Sequence, residues 1–369
     1  MINLLVIAGE HSGDNHAAYF IRQLKERHPD MSICAIGGPA MEKAGAHLIF
    51  DLTQWSVVGL AETLKYYHKF KKLMDWLVKW IHIYQPRTIC LVDFPGFNLR
   101  LAKQLYLEGL SLKSGGKICV CQYISPQIWA WKAQRRFDLN NYIDHLGTIF
   151  KFEKDCFNDT TLDVQFVGHP LMHTPNPFCY DCQGPILLLP GSRKSAVQKI
   201  FPVLHKAFQE LKSMHPELKA VVPYPNSQIA DYLRPFANET LNICPLSELH
   251  EGVCCAIASS GTASLQVALA GIPGVITYKA NPLTFWLGKH LVKIPYLAMS
   301  NILLQKTLYP ECLQDLPNQT SSIAVHVETI LSSLEESRQK FLEGAQQLRQ
   351  LLTHTQNQNV TDWIEKYCL

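Results

Sequence analysis

Hydrophobic and polar positions along the chain alternate between two patterns, one of strand length and one of helix length. Short apolar runs, such as "INLLVIAG" at residues 2–9 and "RTICLVDF" at residues 87–94, are followed by longer segments whose apolar residues repeat at helical spacing. Strands that alternate with helices predict a parallel sheet covered on both faces. The alternation resumes at residue 185 with "PILLLPG", "KAVVPYP", "CAIASS" and "GVITY". The pattern therefore predicts an α/β protein with two Rossmann-like, doubly wound domains.

One stretch between the two halves breaks the alternation. Residues 173–184, "HTPNPFCYDCQG", are rich in proline and turn formers and have no periodicity, which predicts a linker. We therefore expect an N-terminal domain at residues 1–172 and a C-terminal domain at residues 185–345. A helical tail at residues 346–369 is expected to pack on the N-terminal domain or on a partner subunit. The two domains are expected to face each other across a cleft at the carboxyl ends of their strands, where open α/β sheets bind ligands.

Composition narrows the class of protein. The chain has 369 residues, ample for two domains, and 47% hydrophobic with 18% charged residues is typical of a globular protein. A formal net charge of +3 is nearly neutral and gives no indication of an extensive nucleic-acid-binding surface. Several of the twelve cysteines lie in apolar runs, which indicates a reducing compartment, and the single C-x-x-C has no second pair to complete a zinc site. With no basic leader and no run of about 18 apolar residues, we predict a cytosolic protein without a signal peptide or membrane span.

The loop "AGEHSGD" after the first strand is the first candidate site. Ser12 or Asp14 could cap the next helix, and Gly13 allows a close approach of the backbone. The loop is then an ordinary capped turn. Alternatively, it binds a ligand, and Glu10 forms a hydrogen bond with a hydroxylated substrate.

Three further residues in the first half have either a structural or a functional interpretation. Asp93, in "DFPGFN", either caps the helix that begins near Asn98 or takes a proton from an attacking hydroxyl group. Trp129, in "ISPQIWAWK", either packs in the core or forms a platform for a sugar or an acyl chain. His169, in "FVGHP", is either a packed hinge residue or a catalyst.

Two strand-to-helix turns in the second half are candidate phosphate sites. "PGSR" at residues 190–193 offers a guanidinium group and the N–H groups of the helix that follows, which suit a diphosphate. "SSGTASLQ" at residues 259–266 is a second turn of this kind. The spacing of an NTP-binding P-loop is absent from the first turn. Two such turns in one domain favour a nucleotide.

Residues 60–84 form a long amphipathic segment. One stripe, formed by residues 64, 67, 70, 74, 77 and 81, is apolar at helical spacing and predicts a core-facing side. Aromatic residues and lysines cover the remaining surface, so the segment is either a buried helix with a basic edge or a helix that contacts a bilayer. We predict membrane or acyl-chain contact by Tyr66, Lys69, Lys72, Leu73, Trp76 and Trp80.

Taken in order, the motifs resemble those of lipid-A-disaccharide synthases, glycosyltransferases of Gram-negative outer-membrane synthesis. The resemblance covers nearly the whole chain through "AGEHSGD", "IGGPAM", "VVGLAE", "DFPGFN", "SPQIWAWK", "FVGHPL", "LLPGSR", "SSGTASLQ", "NPLTFWLGKHLVK" and "YPECLQ". It implies the two-domain B-type glycosyltransferase fold. It also implies a reaction without metal or cofactor: UDP-2,3-diacylglucosamine and 2,3-diacylglucosamine 1-phosphate give a β-1,6-linked disaccharide 1-phosphate and UDP, with inversion. Peripheral association with the cytoplasmic face of the inner membrane is implied, and a homodimer is compatible with it.

The resemblance also implies roles for individual residues. Asp93 is the expected general base, with Glu10 as a second catalytic residue near the sugar. Substrate binding is expected from Ser12, Gly13, Asp14, Asn98, Trp129, His169, Gly191, Ser192, Arg193, Ser260, Gly261, Thr262, Gln266, Asn301, Glu311 and Gln314.

Three departures from the family pattern affect the donor site and leave other functions open. Gln266 stands where the family usually has Glu, Lys132 where it has Arg, and Ser300 where it has Pro. A glutamine loses the strength of a charge-assisted hydrogen bond, so weaker nucleotide binding is expected. The alternatives are another UDP-sugar enzyme, either an epimerase or a transferase with a soluble acceptor, and a non-catalytic UDP-sugar-binding scaffold.

Overall fold

The chain forms two compact α/β units. The computed structural model describes residues 2–55, 60–279, 295–314, 318–354 and 359–369, apart from the side chains of residues 60–67. The first unit consists of Met1–Pro170 with Leu352–Leu369, and the second of Leu171–Leu351. Each unit contains one parallel sheet, so the prediction of two doubly wound domains is confirmed.

The first unit has a seven-stranded sheet in the order β3-β2-β1-β4-β5-β6-β7, with every pairing parallel. The central strand β1 has no exposed side-chain surface, because helices cover both faces of the sheet. The strands are β1 (Leu4–Ala8), β2 (Ile33–Gly37), β3 (His47–Asp51), β4 (Thr88–Val92), β5 (Cys119–Tyr123), β6 (His145–Thr148) and β7 (Asp163–Phe166). The helices are α1 (His11–Arg27), α2 (Pro39–Lys43), α3 (Leu60–Tyr84), α4 (Pro95–Leu107) and α5 (Arg135–Tyr142).

The second unit has a six-stranded parallel sheet in the order β10-β9-β8-β11-β12-β13. Its strands are β8 (Ile186–Leu189), β9 (Ala220–Tyr224), β10 (Leu241–Pro245), β11 (Cys255–Ser259), β12 (Gly274–Tyr278) and β13 (Glu311–Leu313). The helices are α6 (Lys194–Met214), α7 (Ser227–Leu233), α8 (Thr262–Leu269), α9 (Met299–Leu304), α10 (Gln319–Ser332) and α11 (Leu334–Leu352).

Each sheet has one point at which the strand order reverses. In the first unit, successive strands run outward from β1 to one edge and from β4 to the other; in the second unit, β8 and β11 play these roles. Loops that leave two such central strands diverge to opposite faces, and the crevice between them is the usual ligand site of open α/β sheets. We call the points at which the strand order reverses the switch points. The candidate residues are expected in the loops at these two points.

The segment predicted as a linker, residues 173–184, belongs to the second unit, and part of it packs there. Phe178 is only 5% exposed. Tyr180 pairs with Val253 in an isolated parallel bridge, and the Arg338 guanidinium lies 4.3 Å from the centre of the Tyr180 ring. Tertiary contacts therefore order a segment that has no periodicity of its own.

The predicted start of the C-terminal tail also needs correction. Helix α11 continues to Leu352, so the tail leaves the second unit at residue 352 rather than 346. Its last helix, α12 (Val360–Cys368), packs in the core of the first unit beside α1, β4 and β5. Trp363 is fully buried, and Arg27 of α1 forms ion pairs at 2.7 Å with both Asp362 and Glu365.

Candidate active site

Asp93 occupies the turn between β4 and α4. Its backbone N–H donates to the carbonyl oxygen of Tyr123 at 2.9 Å, next to the paired ends of β4 and β5. Asp93 and Phe94 then both adopt left-handed backbone conformations, with φ of +46° and +48°, and Pro95 begins α4. Residues with a side chain rarely adopt such conformations, so this turn stores backbone strain. It brings Asp93 to the carboxyl edge of the sheet at the switch point.

Glu10 lies in the loop that follows the neighbouring strand. Strands β1 and β4 pair through Ala8 and Val92, so the loops that follow them leave the sheet side by side. Glu10 occupies the N-cap position of α1. The preceding residue, Gly9, packs directly against Phe94, because a Cβ atom at Gly9 would lie 2.2 Å from the phenyl ring. The loops of the two predicted catalytic residues therefore meet at one switch point.

Asp14 needs a correction, because its carboxylate caps a helix. The side chain is 2% exposed, and its oxygens accept hydrogen bonds at 3.0–3.1 Å from backbone N–H groups at the start of α2, those of Gly38, Ala40 and Met41. An acidic group there also complements the helix dipole. Its helix is therefore α2, rather than the α1 that the sequence suggested. Of its two neighbours in the motif, Ser12 is exposed at the start of α1 and Gly13 is buried.

Asn98 has a structural role in the turn, and its substrate contact stays a prediction. Its side chain is fully buried in α4. The amide nitrogen donates to the carbonyl oxygen of Asp93 at 2.7 Å and to that of Val92 at 3.3 Å. Asn98 therefore holds the backbone of the turn that carries the predicted base.

Trp129 lies over a buried glutamate. Its indole N–H donates to Glu153 at 3.3 Å, and its ring packs edge-on against Phe152, with centroids 5.4 Å apart. Trp129 is half-buried, whereas Trp131 is exposed beside Lys132, whose ammonium nitrogen lies 4.5 Å from the centre of its ring. The two tryptophans differ in exposure because residues 127–131 form a turn rather than an extended strand.

Glu153 is a carboxyl group that is 1% exposed and close to Asp93. Burial raises its pKa from 4.5 to about 7; hydrogen bonds from the backbone N–H groups of Ile149 and Phe150 and from Trp129 oppose the shift, and the charge of Asp93 adds to it. Its Oε2 atom accepts both backbone hydrogen bonds, at 3.1–3.2 Å. The carboxyl group therefore titrates near neutral pH in the folded protein.

Glu153→Gln is expected to remove part of the pH dependence of stability. Because the pKa of Glu153 is raised in the folded state, its neutral form stabilises the fold below about pH 4.5, and this contribution is lost as pH rises through 7. The pKa shift corresponds to about 3 kcal/mol. As pH rises, the free energy of unfolding of the natural protein should therefore fall by about this amount relative to that of the variant. Urea unfolding of both proteins between pH 4.5 and 8 measures this difference.

Glutamine also turns an N–H group toward the indole N–H, which adds a loss of about 1–3 kcal/mol that does not depend on pH. The prediction therefore concerns how the free energy of unfolding changes with pH, and not the constant difference between the two proteins. Glu26→Gln, on the exposed side of α1, is the control and should follow the natural protein. Parallel curves for Glu153→Gln and the natural protein would contradict the assignment.

His169 is packed rather than exposed to a ligand. Its side chain is 6% exposed, and its ring lies 5.3 Å from that of Phe150. Burial, together with nearby His16, lowers the pKa of His169 to about 3, so the imidazole is neutral at neutral pH. It lies just before the boundary between the two units. These observations favour the packed hinge residue over the catalyst.

In the second unit, the two predicted phosphate turns lie next to each other. Strands β8 and β11 are neighbours at the switch point, and each ends in one of the turns. Gly191 has a φ of +115°, and a Cβ atom there would lie 3.5 Å from the hydroxyl of Ser259. Ser192 and Arg193 are exposed before α6, with Arg193 as its N-cap residue. Gly261 has a φ of +156°, and Thr262 begins α8.

This arrangement can bind an anion. The first N–H groups of α6 and α8 have no partner within their own helices, and the helix dipoles place partial positive charge at the same edge of the sheet. Arg193 adds a full positive charge with two N–H groups suited to phosphate oxygens. Ser260 differs from the rest of the turn, because its hydroxyl donates to the carbonyl oxygen of Leu297 at 2.9 Å.

Asn301 and Glu311 belong to one hydrogen-bond network within the second unit. Asn301 is fully buried and uses all its hydrogen-bonding groups within the protein: its nitrogen donates to Tyr309 and Glu311, and its oxygen accepts from the backbone N–H groups of Leu308 and Tyr309. Glu311 also accepts from the N–H groups of Leu297 and Ala298. In the structure Asn301 shapes the loop before α9, and its contact with the nucleotide stays a prediction. Gln266 and Gln314 are half-buried, on α8 and after β13.

Helix α3 presents one buried and one exposed side. Leu73 is 5% exposed and packs in the core with Leu77 and Ile81, so its predicted membrane contact is wrong. Trp80 is half-buried against the same core and packs on Tyr84. Exposed positions recur at helical spacing at Lys69, Lys72, Trp76, Lys79 and Ile83; Tyr66 lies outside the described side chains. Within the ranges that the structure describes, no helix is long and apolar enough to cross a membrane.

Sequence reasoning missed two residues beside Asp93. Gln122 is a polar residue inside the apolar run "KICVCQYI", and a buried polar side chain at the end of a strand was an available signal. Glu153 lies in "FKFEKDCF", where no pattern distinguishes it from the surface carboxylates around it.

The fold and the two switch points define the class of protein. The chain is similar to a solved structure of the glycotransferase of kitacinnamycin, with a TM-score of 0.63 over 99% of this chain and 98% of that chain at 12% identity. The fold is therefore that of two-domain, B-type glycosyltransferases.

The family follows from the sequence matches. The family model described as lipid-A-disaccharide synthetase matches residues 4–365. A lipid-A-disaccharide synthase of Coxiella burnetii (strain CbuK_Q154) is 33% identical over 325 residues, covering 85% of this chain and 84% of the relative. Lipid-A-disaccharide synthase 1 of Legionella pneumophila (strain Lens) is 34% identical over 367 residues, covering 91% of this chain and 94% of the relative. The chain belongs to the lipid-A-disaccharide synthetase family and is a UDP-sugar glycosyltransferase of lipid A synthesis.

Proposed function

We propose that the chain condenses UDP-2,3-diacylglucosamine with 2,3-diacylglucosamine 1-phosphate to give a β-1,6-linked disaccharide 1-phosphate and UDP. One structural observation supports this proposal. The strand-end loops predicted to perform acid–base chemistry meet at the switch point of the first unit, and those predicted to bind a diphosphate meet at that of the second. The first unit would thus take the acceptor and the second the UDP-sugar.

The reaction is a single displacement. Asp93 takes the proton from the 6-hydroxyl group of the acceptor, and the oxygen forms a bond to the anomeric carbon of the donor. The bond between that carbon and the β-phosphate oxygen of UDP breaks on the opposite side, which inverts the anomeric centre. The departing UDP takes the electron pair, and Arg193 with the N–H groups of α6 and α8 stabilises its negative charge. Glu10 orients the sugar hydroxyl groups beside Asp93.

The test is product formation from the two acylated substrates, followed by mass spectrometry with EDTA present throughout. A disaccharide 1-phosphate and an equal amount of UDP are expected. Parallel reactions use UDP-N-acetylglucosamine with an unacylated acceptor, and UDP-diacylglucosamine alone. Turnover only with the unacylated acceptor would support a transferase with a soluble acceptor, and an altered sugar without acceptor would support an epimerase. Binding of UDP with no product in any reaction would support the scaffold.

We propose in addition that α3 holds the enzyme at the cytoplasmic face of the inner membrane. Both substrates carry acyl chains and partition into a bilayer. Lys72, Trp76, Lys79 and Ile83 recur at helical spacing on its exposed side, with Trp76 41% and Ile83 74% exposed. Lysines attract anionic headgroups, and the apolar groups between them enter the interface. Exposed apolar groups on one face of a helix gain free energy from such contact.

The double substitution Trp76→Ser and Ile83→Ser is expected to reduce binding to vesicles containing anionic phospholipid by tenfold or more. Removing two large apolar groups takes away burial worth about 1.5–3 kcal/mol each when complete. Co-sedimentation with vesicles measures the effect. Met214→Ser is the matched control, because Met214 is 52% exposed at the end of α6 in the second unit. Unchanged binding by the double variant would show that this side of α3 does not contact lipid.

A further inference from the structure

The turn that carries Asp93 is held in a strained shape by groups outside it. Two consecutive residues with side chains, Asp93 and Phe94, have φ near +47°, with values of +46° and +48°. Such conformations persist only where the surrounding structure determines them, and they concentrate at functional sites. In enzymes with a nucleophile elbow, a similar strained turn between a strand and a helix presents one reactive side chain at the sheet edge.

Two buried amide side chains converge on the backbone of this turn. Gln122 on β5 donates to the carbonyl oxygen of Asp93 at 3.2 Å and to that of Ile124 at 3.1 Å. Asn98 on α4 donates to the same Asp93 oxygen at 2.7 Å. Both side chains are fully buried. One carbonyl oxygen therefore receives hydrogen bonds from a neighbouring strand and from the following helix.

The orientation of these amides is determined by their neighbours. The side-chain oxygens Asn98 Oδ1 and Gln122 Oε1 are buried and have no hydrogen-bond partner in the part of the chain that the structure describes. Rotating either amide would direct its oxygen at a carbonyl oxygen, which is repulsive. A buried acceptor without a partner is unfavourable, so any favourable contribution of these two amides comes from their N–H groups.

A third group fixes the outer side of the turn. The Phe94 ring lies over Gly9, where any Cβ atom would overlap it. Only glycine at this position leaves room for the ring, so the position of Phe94 depends on the loop that carries Glu10.

We propose that Gln122 and Asn98 are positioning residues that hold Asp93 in the geometry required of the general base. Gly9 assists them, because it leaves room for the ring of Phe94. This inference rests on the proposed role of Asp93. It extends that role by naming the groups that act through the Asp93 backbone without contact with substrate. Removing one of them leaves the carboxylate present but displaced, which is costly for proton transfer because small displacements at a reacting centre reduce rates by up to about a hundredfold.

The experiment is a double-mutant cycle between Gln122→Met and Asp93→Asn. Methionine has a similar volume and no N–H group. Gln122→Met alone is expected to lower kcat by about tenfold or more, with the KM values of both substrates within about twofold of the natural protein. In the Asp93→Asn background, the same substitution should have no further effect on kcat, because there is no base left to position.

Two controls separate positioning from general damage to the fold. Thr148→Val removes another buried hydrogen bond of the same sheet, from the Thr148 hydroxyl to the carbonyl oxygen of Gln165 at 3.3 Å, and should leave kcat unchanged. Gly9→Ala reaches the same turn through Phe94, should also lower kcat, and replaces Gln122→Met if that variant does not fold. Equal losses from Gln122→Met with and without Asp93 would overturn the inference, as would full kcat in Gln122→Met. Full activity of Asp93→Asn would instead overturn the proposed role of Asp93 as general base, while the proposed function would stand.

Discussion

Asp93→Asn is expected to lower kcat by two to four orders of magnitude. Positioned proton transfer contributes about 10²- to 10⁴-fold to rate, and an asparagine cannot accept the proton of the 6-hydroxyl group. The substitution preserves the size of the side chain. Asparagine also tolerates the left-handed backbone of this position better than most residues, so the turn at φ +46° should keep its shape. The measurement is the rate of disaccharide formation at saturating concentrations of both substrates.

The binding of UDP is the internal control for Asp93→Asn. The nucleotide turns lie in the second unit, and the dissociation constant of UDP from calorimetry should be unchanged. Asp138→Asn, on the exposed side of α5, should retain full activity. A kcat of Asp93→Asn within about threefold of the natural protein would show that another group takes the proton. Glu10 would then be the next residue to replace, because its loop shares the switch point.

Arg193→Ala is expected to lower kcat by about 10²- to 10³-fold and to weaken UDP binding by tenfold or more. Groups that stabilise charge as it develops in the transition state typically contribute this much to rate, and charge-assisted hydrogen bonds to phosphate account for the loss of affinity. Arg193 precedes α6 as its N-cap residue, so its charge acts together with the N-terminal end of that helix dipole. Steady-state kinetics and UDP calorimetry measure the two effects separately.

Two further variants sharpen the test of Arg193. Arg193→Lys keeps the positive charge but loses the planar pair of N–H groups, so it should recover only part of the activity. Lys206→Ala removes an exposed cation from the same helix, farther from its N-terminus, and should be neutral. If Arg193→Ala binds UDP normally and retains its kcat, the diphosphate is held elsewhere, and the turn at residues 259–262 becomes the candidate.

Three of the predicted site residues make structural hydrogen bonds for the same reason. Asp14, Asn98 and Asn301 all occur in motifs at strand or helix ends, where a polar residue is equally suited to bind a ligand or to satisfy the backbone. The structure shows each of them buried and bonded to main-chain groups of the protein. Two kinds of polar residue therefore occur around a switch point. Some could contact substrate, and others stabilise the conformation of the loops.

From the sequence alone, two parallel sheets, most of their strands and the loops that carry the candidate chemistry could be predicted. This is possible because burial on both faces of a sheet demands continuous apolar runs, and helices demand their own period, so both leave local patterns. Only the tertiary structure decided which polar side chains remain near the ligand edge, and that residues 173–184 and the final helix pack where they do. The physical reason is distance along the chain. Asp14 bonds to N–H groups 24 to 27 residues away, Gln122 reaches an oxygen 29 residues back, and no local pattern records such pairings.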